Sequence, residues 1–139
     1  MEKREFISRS PSETWDIGEQ IGRKAKPGEL YTLHGELGSG KTQLVKGIAR
    51  GIGVLDWEYV VSPSFTIMNV YEGHCMLAHV DLYRIGAGEA EDLNMEEYLQ
   101  RGIVVVEWAE KGEWWSNTNI DITVENTGES ERKIVIIKP

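Results

Sequence analysis

The chain has 139 residues and a formal net charge of −8, which allows one domain with a buried core and is too short for two. Hydrophobic residues at 40% and charged residues at 27% make an ordinary globular composition, neither disordered nor fibrous. So acidic a chain is a poor candidate for gripping a phosphate backbone itself, so any tie to nucleic acid is expected to pass through another protein. The acidity also serves solubility alone.

The start, Met1-Glu2-Lys3-Arg4-Glu5, is charged and leads into no long apolar run, so no signal peptide is expected. Ser12-Glu13-Thr14-Trp15 reads as a helix start, with Ile17, Gly18, Ile21 and Gly22 following at helical spacing until Pro27-Gly28 stops them. Leu30 to His34 is a short, mostly apolar strand. Thr42 to Arg50 carries Leu44, Val45, Ile48 and Ala49 at helical spacing and ends at Gly51 and Gly53. Tyr59-Val60-Val61 is strand-like. Thr66 to Tyr71 and Cys75 to Val80, split by Glu72-Gly73-His74, read as a hairpin. Glu89 to Gln100 reads as an acidic helix. Ile103 to Val106 is a fully apolar run of the kind buried mid-sheet, and far too short to span a bilayer, so no membrane contact is expected. Ile120 to Val124 and Ile134 to Ile137, around Asn126-Thr127-Gly128-Glu129, form a second hairpin. Cys75 is the only cysteine, which rules out an internal disulfide and fits a reducing cytosol. The fold class expected is α/β: a single P-loop domain, residues 1–139, with a mixed parallel and antiparallel central sheet flanked by helices.

Between the first apolar strand and its helix stands Gly35-Glu36-Leu37-Gly38-Ser39-Gly40-Lys41-Thr42, a complete G-x-x-x-x-G-K-[ST] phosphate-binding loop. Its glycines let the backbone curl so that N–H groups converge on phosphate oxygens, helped by the helix N-terminus. Lys41 places a charge at the β- and γ-phosphates, and the Thr42 hydroxyl is placed to ligate Mg²⁺. Such chemistry needs an acid to help hold the metal and a group to position the attacking water. Two acids end apolar strands, Asp81 after Val80 and Glu107 after Val106; spacing alone does not assign them. Both belong at the rim where the strands' carboxyl ends meet the loop. Trp108 follows Glu107 and shares its neighbourhood. Ser62-Pro63-Ser64-Phe65-Thr66 lies where phosphate-loop enzymes often carry a hydroxyl segment that senses the γ-phosphate, with Ser62, Ser64 and Thr66 as candidate switch hydroxyls; the alternative is an ordinary turn before a strand. His79 and Arg84 flank Asp81: His79 could tune a carboxylate or water, and Arg84 could pair with phosphate or carboxylate. Trp114-Trp115 reads as core or rim packing, or as a docking surface. The chain lacks an N-K-x-D guanine reader and the length for a nucleoside-kinase lid and substrate domain, and no H-x-x-H or C-x-x-C pair suggests zinc.

The phosphate loop, Ser62 to Thr66, His79-Val80-Asp81-Leu82-Tyr83-Arg84 and Glu107-Trp108-Ala109-Glu110-Lys111-Gly112, in that order, resemble the bacterial TsaE (YjeE-type) P-loop ATPases of tRNA threonylcarbamoyladenosine biosynthesis. The likeness covers about residues 10 to 137. It implies a cytoplasmic, ATP- and Mg²⁺-dependent ATPase that works with TsaD and TsaB, touches tRNA only through them, and hydrolyses ATP weakly alone. In that pattern Lys41, Asp81 and Glu107 are catalytic. Thr42 and Glu107 ligate the metal, and Asp81 lies near the γ-phosphate or attacking water, close enough to serve as a ligand. Glu36, Leu37, Gly38, Ser39, Gly40, Lys41, Thr42, Asp81, Trp108 and Arg132, the last matching an arginine before the final strand, contact nucleotide. Two positions depart: the family more often has Thr where Ser64 stands, and Pro or Ser where Ala109 stands. The rival readings are a small-molecule kinase, which needs an acceptor pocket, and a nucleotide-operated binding module without a significant enzymatic role.

Overall fold

The computed structural model describes residues 1–36, 38–85, 89, 93–108 and 119–139. In chain order the elements are β1 (Glu2–Ser8), α1 (Pro11–Lys24), β2 (Leu30–His34), α2 (Lys41–Ile52), a 3₁₀ turn at Trp57–Tyr59, β3 (Met68–Glu72), β4 (Met76–Asp81), α3 (Met95–Arg101), β5 (Gly102–Glu107), β6 (Ile120–Asn126) and β7 (Arg132–Lys138). The strands form one seven-stranded sheet in the order β1-β7-β6-β2-β5-β4-β3. β2 is parallel to β5 and β6, and β4 to β5, while β1–β7, β6–β7 and β3–β4 are antiparallel. The expected mixed α/β sheet and both hairpins are therefore present.

β5 shows why its run is apolar throughout. Ile103 and Val105 pack with Leu44, Ile48 and Leu77 on the side of α1 and α2. Val104 and Val106 pack with Val80, Leu82 and Met95 on the other side, against which Tyr98 and Leu99 of α3 also lie. Alternate side chains of a strand face opposite ways, so a strand covered on both faces needs an apolar residue at every position.

Several boundaries differ from the sequence expectation. α1 begins at Pro11, with Ser10 as N-cap accepting from the Glu13 N–H at 3.1 Å; the Glu13 carboxylate accepts in turn from the Arg9 N–H at 2.9 Å. This is a near-complete capping box, read two residues late because Ser12 offers the same signal. Tyr59-Val60-Val61 is not a strand: it leaves the 3₁₀ turn and pairs with no described strand of the sheet. Of the acidic helix expected over 89–100, Glu89 is helical and a helix runs Met95–Arg101, while residues 90–92 lie outside the described part. β1 has no counterpart in the sequence reading, because Glu2 to Glu5 is an exposed, charged edge that among the described residues pairs only with β7.

α1 and α2 touch at their backbones. A Cβ on Gly18 would lie 2.5 Å from the Leu44 carbonyl, and one on Gly47 would lie 2.4 Å from that of Trp15. This contact seats α1 against the start of α2, where the phosphate loop ends.

Candidate functional site

The parallel register brings the two acids together. Asp81 is the Cα partner of Glu107 across β4 and β5, and Leu33 of β2 pairs with Glu107 from the other side. Both carboxylates thus stand at the carboxyl rim beside the loop that follows β2. They are nearly covered, at 6% and 4% exposure.

The loop is shaped by its glycines. Gly40, the N-cap of α2, has φ 98°, a left-handed conformation that other residues adopt only at a cost. At Gly35 a Cβ would lie 2.6 Å from the Ser39 Oγ and 2.7 Å from the Val124 carbonyl. The first i−4 bond of α2 runs from Leu44 N to the Gly40 carbonyl, 3.1 Å. The N–H groups of Lys41, Thr42 and Gln43 are thereby left for an external acceptor, at the end of the helix that favours anions.

Lys41 is buried. Its Nζ lies 3.3 Å from Glu107 Oε1 and 5.5 Å from the centre of the Trp108 ring. Trp108 takes φ 61°, a conformation costing on the order of 1 kcal/mol in a bulky residue, and stacks against Tyr83 with ring centres 4.9 Å apart. The other Glu107 oxygen, Oε2, accepts from His79 Nε2 at 2.7 Å. A carboxylate partner sets the tautomer with the proton on Nε2. Burial pushes the Glu107 carboxyl up, but the His79 hydrogen bond and the charges of His79 and Lys41 outweigh it, and the group lies below its ordinary range. Glu107 is therefore an ionised, oriented oxygen donor. Asp81 Oδ1 accepts the Tyr83 N–H at 2.9 Å, which holds the carboxylate in place at the strand end.

A cleft of about 480 Å³ opens over these groups. Gly38, Gly40, Lys41 and Thr42 form one wall; Asp81, Glu107 and Trp108 form the floor; Ser62, Ser64 and Arg132 close the sides. The Ser62 and Ser64 hydroxyls are 2.9 Å apart. Arg132 donates from Nε to the Ser39 carbonyl at 2.8 Å and from Nη1 to Asn126, Gly128 and Glu131, tying the loop to the β6–β7 turn. The remaining predicted residues do not reach the cleft wall. Glu36 is exposed and gives its carbonyl to Ser39 N at 3.0 Å. Ser39 is buried, with its Oγ unpartnered among the described residues. Thr66 donates to Asn69 at 2.7 Å. Arg84 lies over the Phe65 ring at 4.9 Å rather than beside a carboxylate. Leu37, Ala109 and the Trp114-Trp115 pair lie outside the described residues.

The sequence reading missed a second cavity, about 240 Å³, on the other side of Gly40 and Arg132. Ser10, Pro11, Thr14, Gln43, Glu129 and Ser130 complete its lining. Ser10 and Pro11 carry a helix-start signal in the sequence, and nothing in it places them beside the β6–β7 turn.

The oxygen donors fit a hard divalent cation. Thr42, Asp81 and Glu107 share the cleft, and Mg²⁺ takes one or two carboxylates and completes its shell with phosphate oxygens and water.

Residues 8–134 match the family model described as "Threonylcarbamoyl adenosine biosynthesis protein TsaE". The chain is 40% identical over 128 residues to the tRNA threonylcarbamoyladenosine biosynthesis protein TsaE of Bacillus subtilis, covering 90% of this chain and 79% of that protein. It is 35% identical over 136 residues to the protein of that name from Aquifex aeolicus, covering 97% and 96%. Among solved structures it resembles that of Bacillus subtilis YdiB, with a TM-score of 0.77 and 31% identity over 99% of this chain and 86% of that one.

Proposed function

The chain belongs to the TsaE family, and on that premise we propose that it binds and hydrolyses Mg²⁺-ATP in the cytoplasm in support of tRNA threonylcarbamoyladenosine biosynthesis. TsaD and TsaB are the partners we assign to it, with tRNA held by them. The observation that carries the reading is the joint placement of Lys41, Thr42, Asp81 and Glu107 on one cleft.

In this reading the N–H groups at the start of α2 and the Lys41 ammonium take the β- and γ-phosphates. Lys41 leaves Glu107 for the phosphates, which frees a Glu107 oxygen for the metal while His79 keeps the carboxylate oriented. Thr42 and Glu107 would hold Mg²⁺, which when bound would supply charge neutralisation for the phosphate oxygens. Asp81 orients the attacking water. The water oxygen bonds to the γ-phosphorus, the bond to the β–γ bridging oxygen breaks, ADP leaves with that electron pair, and the water's protons pass to the released phosphate and solvent. The second cavity accepts the ribose and base.

Hydrolysis by the isolated chain is slow in this reading. The Nε and Nη1 groups of Arg132 are engaged with the protein itself, and Arg84 lies on Phe65, which favours a transition-state cation supplied in trans. The test is titration of the purified chain with TsaD and TsaB at fixed Mg²⁺-ATP, scoring phosphate release and modified tRNA. Release should rise with the partners. A flat rate, together with multiple-turnover modification that proceeds equally well without this chain, would overturn the reading. Phosphate transfer to a small-molecule acceptor would favour a kinase instead.

A further inference from the structure

Trp15 does not line the phosphate cleft, yet its indole Nε1 donates to Gln43 Oε1 at 2.7 Å. An indole N–H only donates, so the Gln43 atom facing it is the carbonyl oxygen. With that oxygen engaged, Gln43 retains two N–H donors, and its side chain makes no other hydrogen bond among the described residues. Gln43 lines both the phosphate cleft and the second cavity. A nucleotide with its phosphates on the loop and its base in the second cavity brings its α-phosphate and ribose past this junction. A group that can only donate suits an anionic oxygen there.

Trp15 is itself firmly seated. Its backbone carbonyl lies where Gly47 leaves no room for a Cβ. Its ring stands edge-on to Trp57, centres 5.3 Å apart, and Trp57 is covered by the Arg50 guanidinium at 5.1 Å. Arg50 is paired with Asp16 at 2.7 Å and Glu19 at 2.5 Å, both on α1. Rotating the Gln43 amide toward the cleft with its oxygen forward would break the bond to Trp15 and set an acceptor against an anion.

We propose that Trp15 is a positioning residue of the nucleotide site: by holding the Gln43 carbonyl oxygen, it keeps the amide donors turned to the α-phosphate end of the bound nucleotide. The inference rests on the ATP reading above. If the Trp15–Gln43 bond merely ties α1 to α2, its loss lowers the melting temperature and leaves nucleotide affinity alone.

The experiment is calorimetric titration of Mg²⁺-ATP and Mg²⁺-ADP into wild type, Trp15→Phe, Gln43→Met and the double variant, with melting curves of each unliganded protein. Trp15→Phe keeps a ring against Trp57 and loses the N–H. Its affinity should fall about 5-fold, as for one neutral hydrogen bond, and equally for ATP and ADP because both carry the α-phosphate. Adding Trp15→Phe to Gln43→Met should cost nothing further. Unchanged affinity in either single variant, or losses that multiply in the double, would overturn the proposal; Gln43→Met alone decides if Trp15→Phe fails to fold. Wild type that binds neither nucleotide would remove the ATP reading itself, and this inference with it.

Discussion

The ammonium of Lys41 stands 3.3 Å from the Glu107 carboxylate, and the two side chains are only 10% and 5% exposed. In this covered site each supplies the other with an opposite charge. A buried charge left without a partner is strongly destabilising, so this pair lets the site exist without nucleotide. In the ATP reading proposed above, the same pair separates when phosphate arrives, which would link nucleotide binding to a free carboxylate oxygen.

Lys41→Ala removes the charge that the proposed reading sets against the β- and γ-phosphates. Affinity for Mg²⁺-ATP, or its hydrolysis, should fall at least ~10-fold, equivalent to ~1.4 kcal/mol, with an unchanged far-ultraviolet circular dichroism spectrum. Equilibrium titration checks this. Wild-type binding and turnover in the variant would count against the whole site.

The two acids should separate in their effects. Glu107→Gln weakens Mg²⁺-dependent nucleotide binding, because a neutral amide is a poor ligand for a hard cation. Asp81→Asn spares binding and suppresses turnover. Binding constants measured with and without Mg²⁺, beside single-turnover rates, distinguish the two. The opposite pattern would exchange the roles.

Acid should destabilise the fold partly through Glu107. Its folded-state pKa lies below the unfolded value of 4.5, so the unfolded chain takes up that proton first as pH falls. The stabilisation is complete above the unfolded value and is lost as pH drops toward the folded one. In urea titrations between about pH 5 and pH 3, Glu107→Gln should lose less stability than wild type. Equal losses would show that this carboxylate is not depressed in the folded state.

The contact between α1 and α2 tolerates no Cβ. Gly18→Ala places one 2.5 Å from the Leu44 carbonyl and 2.8 Å from the Gly47 Cα. The helices must part, at about 1–3 kcal/mol, against the small gain in helix propensity from alanine. Thermal melting reads the loss, and an unchanged midpoint would show that the helices separate at no cost.

The phosphate loop was legible in sequence because its physics is local. Glycines at fixed offsets, a lysine and a hydroxyl are placed by one turn of backbone and the helix after it. The apolar runs of β2 and β5 and both hairpins were equally plain, since burial on two faces or a turn between two runs leaves its mark on adjacent residues. β1 was invisible: its residues are charged and exposed, and what makes it a strand is β7, more than a hundred residues away. Tyr59-Val60-Val61 shows the converse, β-rich residues that meet no partner strand and so form none.

Sequence alone thus determined that a phosphate loop leads a mixed α/β domain and that Asp81 and Glu107 belong near it. Tertiary structure decided which group each meets. The parallel register set Asp81 opposite Glu107, β4 delivered His79 to one Glu107 oxygen, and Lys41 reached the other. It also brought Ser10 and Pro11 to the β6–β7 turn and Trp15 to Gln43. These contacts join residues tens of positions apart, and no local pattern encodes them, because the strand order and the glycine-lined approach of two helices fix their distances only once the whole sheet is assembled.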